Sequence, residues 1–444
     1  MGGSEPNSED RITGLRGYQS GFGNELQSEA VVGALPIGQN SPQQPPLGLF
    51  SELVSGTTFT APRALNRRTY LFRIRPSVVH GRFEPIHHPT LLTPPLPVPP
   101  DPNQMRWDPA PMPNVPMDFL DGLTTLCGNG APGEQAGTAI HLFRANRPMG
   151  DRYFANADGE FLIIPDFGSL LVATEMGRLI VEPGEFALVP RGIKFQALPC
   201  DGEARGFVCE NFGEPFRLPE LGLIGSNGLA NAADFFIPEA AFEQRDGPVT
   251  LVTKLDGRLW AAELGQSPLD VVAWRGNYLP SKFDMRRFVA LGTATVDHPD
   301  PSIFCALTSP SNQVLGPNVD LMVLPPRWLV AEHSFRPPGF HRNCVAEFLA
   351  IVVGRHDGKA HGFAVGGASL HNNWAAHGPD ADTYEMGWSA SPEPRKIEDS
   401  LVFMLESRRP MHLTRFAAET PQLQSNYADG WRSLRPRFRS PAQA

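Results

Sequence analysis

EFLIIPDFGSLLVATEMGRLIVEPGEFALVPRGIKF, residues 160–195, sets four to six apolar residues at a time between the turn-like groups DFG, EMG, EPGE and PRG. Short apolar runs broken at this interval by glycine, proline and acids read as successive strands joined by tight turns, the spacing of a β-barrel or sandwich. The composition of the whole chain agrees. Pro (46) and Gly (43) are abundant in the 444 residues and interrupt apolar runs before a long helix can form. The expectation is a mainly β protein with few helices.

Outward from this stretch the signals weaken. Residues 84–116, EPIHHPTLLTPPLPVPPDPNQMRWDPAPMPNVP, are too proline-rich for regular structure and read as a long surface loop. Weak helical periodicity occurs at residues 233–245 and 397–405, the second equally compatible with a strand. The opening MGGSEPNSED has no apolar core of the kind a signal peptide needs, and residues 1–16 read as a disordered leader. No apolar run approaches the roughly eighteen residues that span a bilayer.

The net charge of -9, with no basic tract, argues against nucleic acid and anionic membrane surfaces as partners and leaves a small molecule. Five cysteines (Cys127, Cys200, Cys209, Cys305, Cys344) share no short ligand spacing, which fits a reducing, cytoplasmic setting.

Histidine usage divides the chain. Seven of its twelve histidines (His298, His333, His341, His356, His361, His371, His377) fall between residues 298 and 377. A boundary near Phe288 gives an N-terminal β-domain over 17–287 and a smaller β-rich C-terminal domain over 288–444.

In that second half, FRPPGFHRNCVAEF (residues 335–348) places His341 six residues before Glu347 in an apolar segment. Along one straight strand six residues span roughly 20 Å, whereas donors to one ion lie about 3 Å apart, so the pair can share an ion only if the chain turns between them. RNC, residues 342–344, is a suitable place, since asparagine tolerates turn backbone. GGASLHNNWAAHGPDAD (residues 366–382) offers His371 and His377 as further donors. Two imidazoles and a carboxylate on one side of a metal form the facial triad of non-haem Fe(II) oxygenases, with open positions for reactants; the same donors hold Zn(II). Spacing equally admits a turn histidine at His341 and an ion pair from Glu347 to Arg327 or Arg336.

The first half carries a different resemblance. EPGEFALVPRGIKF (residues 182–195) resembles the second cupin motif, but Phe195 stands where a metal-binding cupin has histidine. This barrel is therefore expected to be structural, with the chemistry in the C-terminal half.

Taken in order, YQSGFGNE (18–25), ALPIGQNSPQ (34–43), SGTTFTAPR (55–63), DPNQMRWDP (101–109), IGSNGLAN (224–231), DHPDPSIF (297–304), LPPRW (324–328), FRPP with HRN (335–343), GGASLH (366–371) and HGPDAD (377–382) closely resemble the homogentisate 1,2-dioxygenase family. The resemblance implies a cupin-like β-domain followed by a smaller β-rich domain, assembled as a hexamer of two trimers. It also implies an Fe(II)-dependent, extradiol-type opening of the homogentisate ring by O2 to maleylacetoacetate, in tyrosine and phenylalanine breakdown. The family's iron ligands fall on His341, Glu347 and His377, its acid/base histidine on His298, and a histidine that either supports the ligands from behind or faces the substrate on His371. The position of its usual substrate-binding tyrosine is occupied by His356. Arg275, Ser281 and Gly339 also depart from the family pattern, near the expected pocket. These departures keep two alternatives open: a dioxygenase for another para-dihydroxy aromatic such as gentisate or hydroquinone, and a non-catalytic cupin-like binding protein.

Overall fold

Residues 160–195 fold into the strands Glu160–Phe167, Leu170–Thr174, Gly177–Val181 and Glu185–Val189, with Lys194–Pro199 completing the run. The computed structural model describes residues 17–222, 225, 228–290, 301–330, 332–359, 361–391 and 393–440. The leader expected over 1–16, and His298, lie outside these residues. The turns sit where glycine was read. At Gly168 (φ 66°) a side-chain carbon would meet the Glu203 carbonyl oxygen at 2.0 Å, so both conformation and space demand glycine.

These strands are shared between two sheets. Glu160–Phe167 and Glu185–Val189 join a nine-stranded sheet, while the other three join a seven-stranded sheet. Phe161, Ile163, Leu170, Val172, Leu179, Val181, Ala187 and Val189 fill the core between them. Side chains alternate along a strand, so Leu162, Ile164, Phe186 and Leu188 leave the opposite face of the nine-stranded sheet and enter a second core. That core is closed by a six-stranded sheet through Leu321, Val323, Phe348, Ala350, Leu370, Phe403 and Leu405. The protein is mainly β, and its three largest sheets are layered around its two largest cores; among the described residues its α-helices are Ala381–Ser389 and Arg415–Glu419. No helix among them is long and apolar enough to cross a membrane.

The order of strands in the six-stranded sheet positions the site: Cys305–Ser309, Val319–Leu324, Ser400–Ser407, Ala346–Gly354, Ala368–His371 and Met105–Trp107. Phe348 and Ala350 face the core. Glu347 and Leu349 therefore face the outer surface of this sheet, and Glu347 lies opposite His371 in register.

Three sequence expectations need correction or resolution. The proline-rich stretch is not all surface loop: its proline-free MRW pairs with Ala368–Leu370 as an edge strand, and Met105 and Trp107 are buried. An edge position suits a strand flanked by prolines, because their missing N–H groups are not asked to pair. Residues 233–245 are not a helix. Pro238 cannot occupy a helix interior, and Phe235–Pro238 is a strand between Tyr18–Ser20 and Ser281–Asp284. Of the two readings of residues 397–405, the strand is the one formed, as Ser400–Ser407.

Candidate metal centre

His341 precedes the strand that carries Glu347, and the chain bends at residues 344–345. Asn343 makes the bend with its side chain: its Oδ1 accepts the Val345 N–H at 3.0 Å, and its Nδ2 donates to Glu347 Oε1. His377 arrives from the loop after Ala368–His371. Its backbone is clamped to that of His341 by two reciprocal bonds, His341 N–H to His377 O at 2.9 Å and His377 N–H to His341 O at 3.0 Å. Segments 36 residues apart in sequence thus deliver their imidazoles to the carboxylate presented near the start of an interior strand.

The donor atoms of His341, Glu347 and His377 lie within 4.8 Å of one another. Glu347 Oε2 is 2.6 Å from His377 Nε2, and Oε1 is 3.9 Å from His341 Nε2. The other ring nitrogens are committed. His341 Nδ1 lies 2.8 Å from the Gly339 carbonyl and His377 Nδ1 2.8 Å from the Ala375 carbonyl. A carbonyl only accepts, so each Nδ1 carries the proton and each Nε2 turns a lone pair toward Glu347. Three acceptors aimed at one point repel unless a cation, or a proton in its place, sits among them. Burial acts to lower the His377 pKa, but the bond to Glu347 and its charge outweigh it and the net direction is upward. The donor set and its tautomers therefore fit a divalent ion. Glu347 is buried, while the His341 side chain is 44% exposed, so one side of the cluster is open.

An open groove of about 510 Å³, lined by Gln104, Phe340, His341, His377, Trp431 and Leu434, gives access to the cluster. A separate, larger cavity of about 1260 Å³ is lined by Phe335, His356, Lys359 and Tyr384 among others, and its lining does not include the three donors. The smaller groove is the one that reaches the side chains of His341 and His377.

His371 is buried beside the cluster, its ring 4.1 Å from that of His377 and its Nδ1 4.0 Å from Glu347 Oε2. Burial, then the neighbouring His377, pushes its pKa well down, so it is neutral. His356 faces the larger cavity. Its Nδ1 accepts the Gly358 N–H at 2.9 Å, which leaves Nε2–H as its donor. Gly339 adjoins the site through its carbonyl. Arg275 and Ser281 do not: Arg275 donates to Gln27, Pro36 and Asn40 on a separate four-stranded sheet, and Ser281 is buried opposite Leu188. Their expected place near the pocket is corrected accordingly for the single chain. Arg327 and Arg336, the alternative partners of Glu347, bond instead to Asp357 and to the Glu393 carbonyl.

Several neighbours escaped the sequence reading. The Tyr427 hydroxyl is 3.2 Å from His371 Nε2, and Arg106 stacks on the Tyr427 ring at 4.3 Å. Lys359 Nζ donates to the Gly378 carbonyl at 2.7 Å and lies 4.2 Å from the Trp431 ring; burial brings its pKa down to about 7. No local pattern announces them, because each meets its partners only across a fold that brings distant segments together.

In the first barrel Phe195 is buried among Phe119, Phe154 and Phe161, with ring centroids 5.7–6.3 Å away. Among the described residues, the three-donor cluster of the second half is the group of His, Cys, Asp and Glu side chains arranged to hold a metal.

Among solved structures, a putative dioxygenase from Nostoc punctiforme is 11% identical, with 73% of this chain and 83% of that one covered and a TM-score of 0.27. A cupin 2 conserved barrel domain protein from Leptotrichia buccalis is 10% identical, covering 62% and 84%, with a TM-score of 0.25. The protein Ylba from E. coli is 9% identical, covering 72% and 96%, with a TM-score of 0.30. Likenesses at this level carry no weight for the chemistry. Two family models match in tandem: Homogentisate 1,2-dioxygenase N-terminal over residues 17–285 and Homogentisate 1,2-dioxygenase C-terminal over residues 286–438.

Proposed function

The chain belongs to the homogentisate 1,2-dioxygenase family, and from that premise we propose that it is an Fe(II)-dependent ring-cleaving dioxygenase that converts homogentisate and O2 to maleylacetoacetate in tyrosine and phenylalanine catabolism. The observation that carries this reading is the convergence of two Nε2 lone pairs and one carboxylate beside an open groove. His341, Glu347 and His377 would hold the ion. When bound, Fe(II) supplies a redox-active centre with positions left for the substrate's oxygens and for O2.

The chain's own groups do the rest. The carbonyls of Gly339 and Ala375 pin both imidazoles, so the donor atoms are preorganised rather than recruited. Phe340, Trp431 and Leu434 give the groove apolar walls that favour an aromatic ring over water. Loss of a phenolic proton makes the ring electron-rich, and His298, outside the described residues, is the proposed acceptor of that proton. His356 Nε2–H is the proposed donor to a substrate hydroxyl, in place of the family's tyrosine. His377 lines the groove on the substrate side, and His371 is proposed either to face the substrate or to support the ligands from behind. The working unit is proposed to be a cytoplasmic homo-oligomer, a dimer of trimers.

Anaerobic reconstitution with Fe(II), followed by oxygen-electrode recording with homogentisate, tests the proposal. Stoichiometric O2 uptake with an absorbing ring-opened product is expected; absence of both removes it. His356 favours one second reading, in which the pocket prefers another para-dihydroxy aromatic. Comparing kcat/KM for homogentisate, gentisate and hydroquinone separates the two.

A further inference from the structure

We propose that Tyr427 is a positioning residue for the three-donor centre, acting through His371: its hydroxyl fixes the His371 proton on Nδ1, the nitrogen that faces Glu347. The inference rests on the reading of His341, Glu347 and His377 as a metal site.

The argument is one of donors and acceptors. His371 is buried between two oxygens, Tyr427 Oη at 3.2 Å from its Nε2 and Glu347 Oε2 at 4.0 Å from its Nδ1. A neutral imidazole has one proton to place. Glu347 Oε2 is an acceptor oxygen, so an Nδ1 lone pair would face another lone pair, whereas an Nδ1–H faces it favourably. Nε2 must then accept, and the Tyr427 hydroxyl is the group placed to donate.

The surroundings strengthen this assignment. The Arg106 guanidinium lies over the Tyr427 ring at 4.3 Å, and Lys359 Nζ at 5.3 Å. A cation on the ring face withdraws electron density and makes the hydroxyl a better donor. Arg106 is itself fixed by Gln424, whose side chain accepts from Nε at 2.5 Å and whose N–H donates to the Arg106 carbonyl at 2.8 Å. The tail and the proline-rich segment thus clamp one phenol behind one imidazole. At 4.0 Å the Nδ1–H acts on Glu347 as an oriented dipole rather than through a direct bond. It adds to the Asn343 donor on Oε1, so that both carboxylate oxygens are oriented from behind.

Tyr427→Phe keeps the ring and its cation contacts while removing the proton. Zn(II) affinity, measured by competition with a chromophoric chelator, is expected to fall about tenfold, the lower range for loss of an outer-shell partner. Nitrogen-15 NMR of histidine-labelled wild-type protein is expected to show His371 protonated on Nδ1. In a second pair of variants, His371→Asn, whose amide can donate near the Nδ1 position, is expected to bind Zn(II) more tightly than His371→Gln. An Nε2–H tautomer in the wild type, or an unchanged affinity in Tyr427→Phe, overturns the inference and leaves the metal reading standing. Failure of the wild-type protein to bind Zn(II) overturns both. The NMR measurement needs no variant, so misfolding of a substituted chain does not blunt the test.

Discussion

Replacing Glu347 with Gln exchanges an anionic oxygen donor for a neutral amide while keeping its size. With His377 Nε2 2.6 Å away and His341 Nε2 across from it, the variant retains two imidazoles and loses the charge that offsets the ion. Metal affinity is therefore expected to fall by more than the roughly 10- to 100-fold typical of losing an outer-shell partner. Asn343→Ala falls into that milder class. It removes the donor to Glu347 Oε1 and the Oδ1 that closes the bend at Val345, and a chelator titration should read a drop of about 10- to 100-fold. His356→Ala tests specificity instead. Nε2–H is the donor that the Gly358 bond leaves to that ring, and its loss is expected to leave metal content unchanged and lower kcat/KM for homogentisate by about 10- to 100-fold, the cost of an unmade bond to a buried polar group. The bend was legible in the sequence because six residues cannot bring two donors together along one strand. The role of Asn343 was only half legible: turn tolerance was read, but its side chain closes the turn.

The strands of the first barrel carry a buried charge network that sequence reading passed over. Lys254 Nζ lies 2.6 Å from Glu210 Oε1 and 2.9 Å from Asp158 Oδ2, and His141 Nε2 is 3.1 Å from Glu210 Oε2. Burial alone would raise the Glu210 pKa, but Lys254 and His141 hold it down to about 2. A carboxylate depressed in the folded state adds stability that is present above its unfolded pKa and is lost as pH falls toward the folded value. Wild-type protein is thus expected to lose this contribution between about pH 4.5 and pH 2. Glu210→Gln should lower Tm at pH 7, and the gap from wild type should narrow on acidification across that window; a gap independent of pH contradicts the assignment. Strand periodicity at 160–195 was readable because turns and apolar runs are local. The edge strand Met105–Trp107 was not, because its evidence is a partner more than 260 residues away. At residues 233–245 periodicity misled, and Pro238 was the overlooked veto.

At the level of the whole molecule, the nine-stranded sheet is buried on both faces and couples the two halves. Phe207, on that sheet, meets Phe348 and Phe403 of the six-stranded sheet at 5.6 and 5.9 Å between ring centroids. Phe207→Ala is expected to cost about 3–5 kcal/mol, read as one cooperative transition in which metal retention and β-signal are lost together. The apolar packing at Phe195 and the gathering of donors in the second half were legible from Phe195 itself and from the crowding of histidines from residue 298 onward. The outer layer around the cluster was not, because Tyr427, Arg106 and Lys359 reach it only through the finished fold. The central claim is that one ion per chain sits on His341, Glu347 and His377. Metal analysis of folded wild-type, Glu347→Ala and His377→Ala proteins after anaerobic loading with Fe(II) and desalting tests it most directly. The account predicts one iron per chain in the wild type and almost none in either variant; equal iron in all three proteins would contradict it.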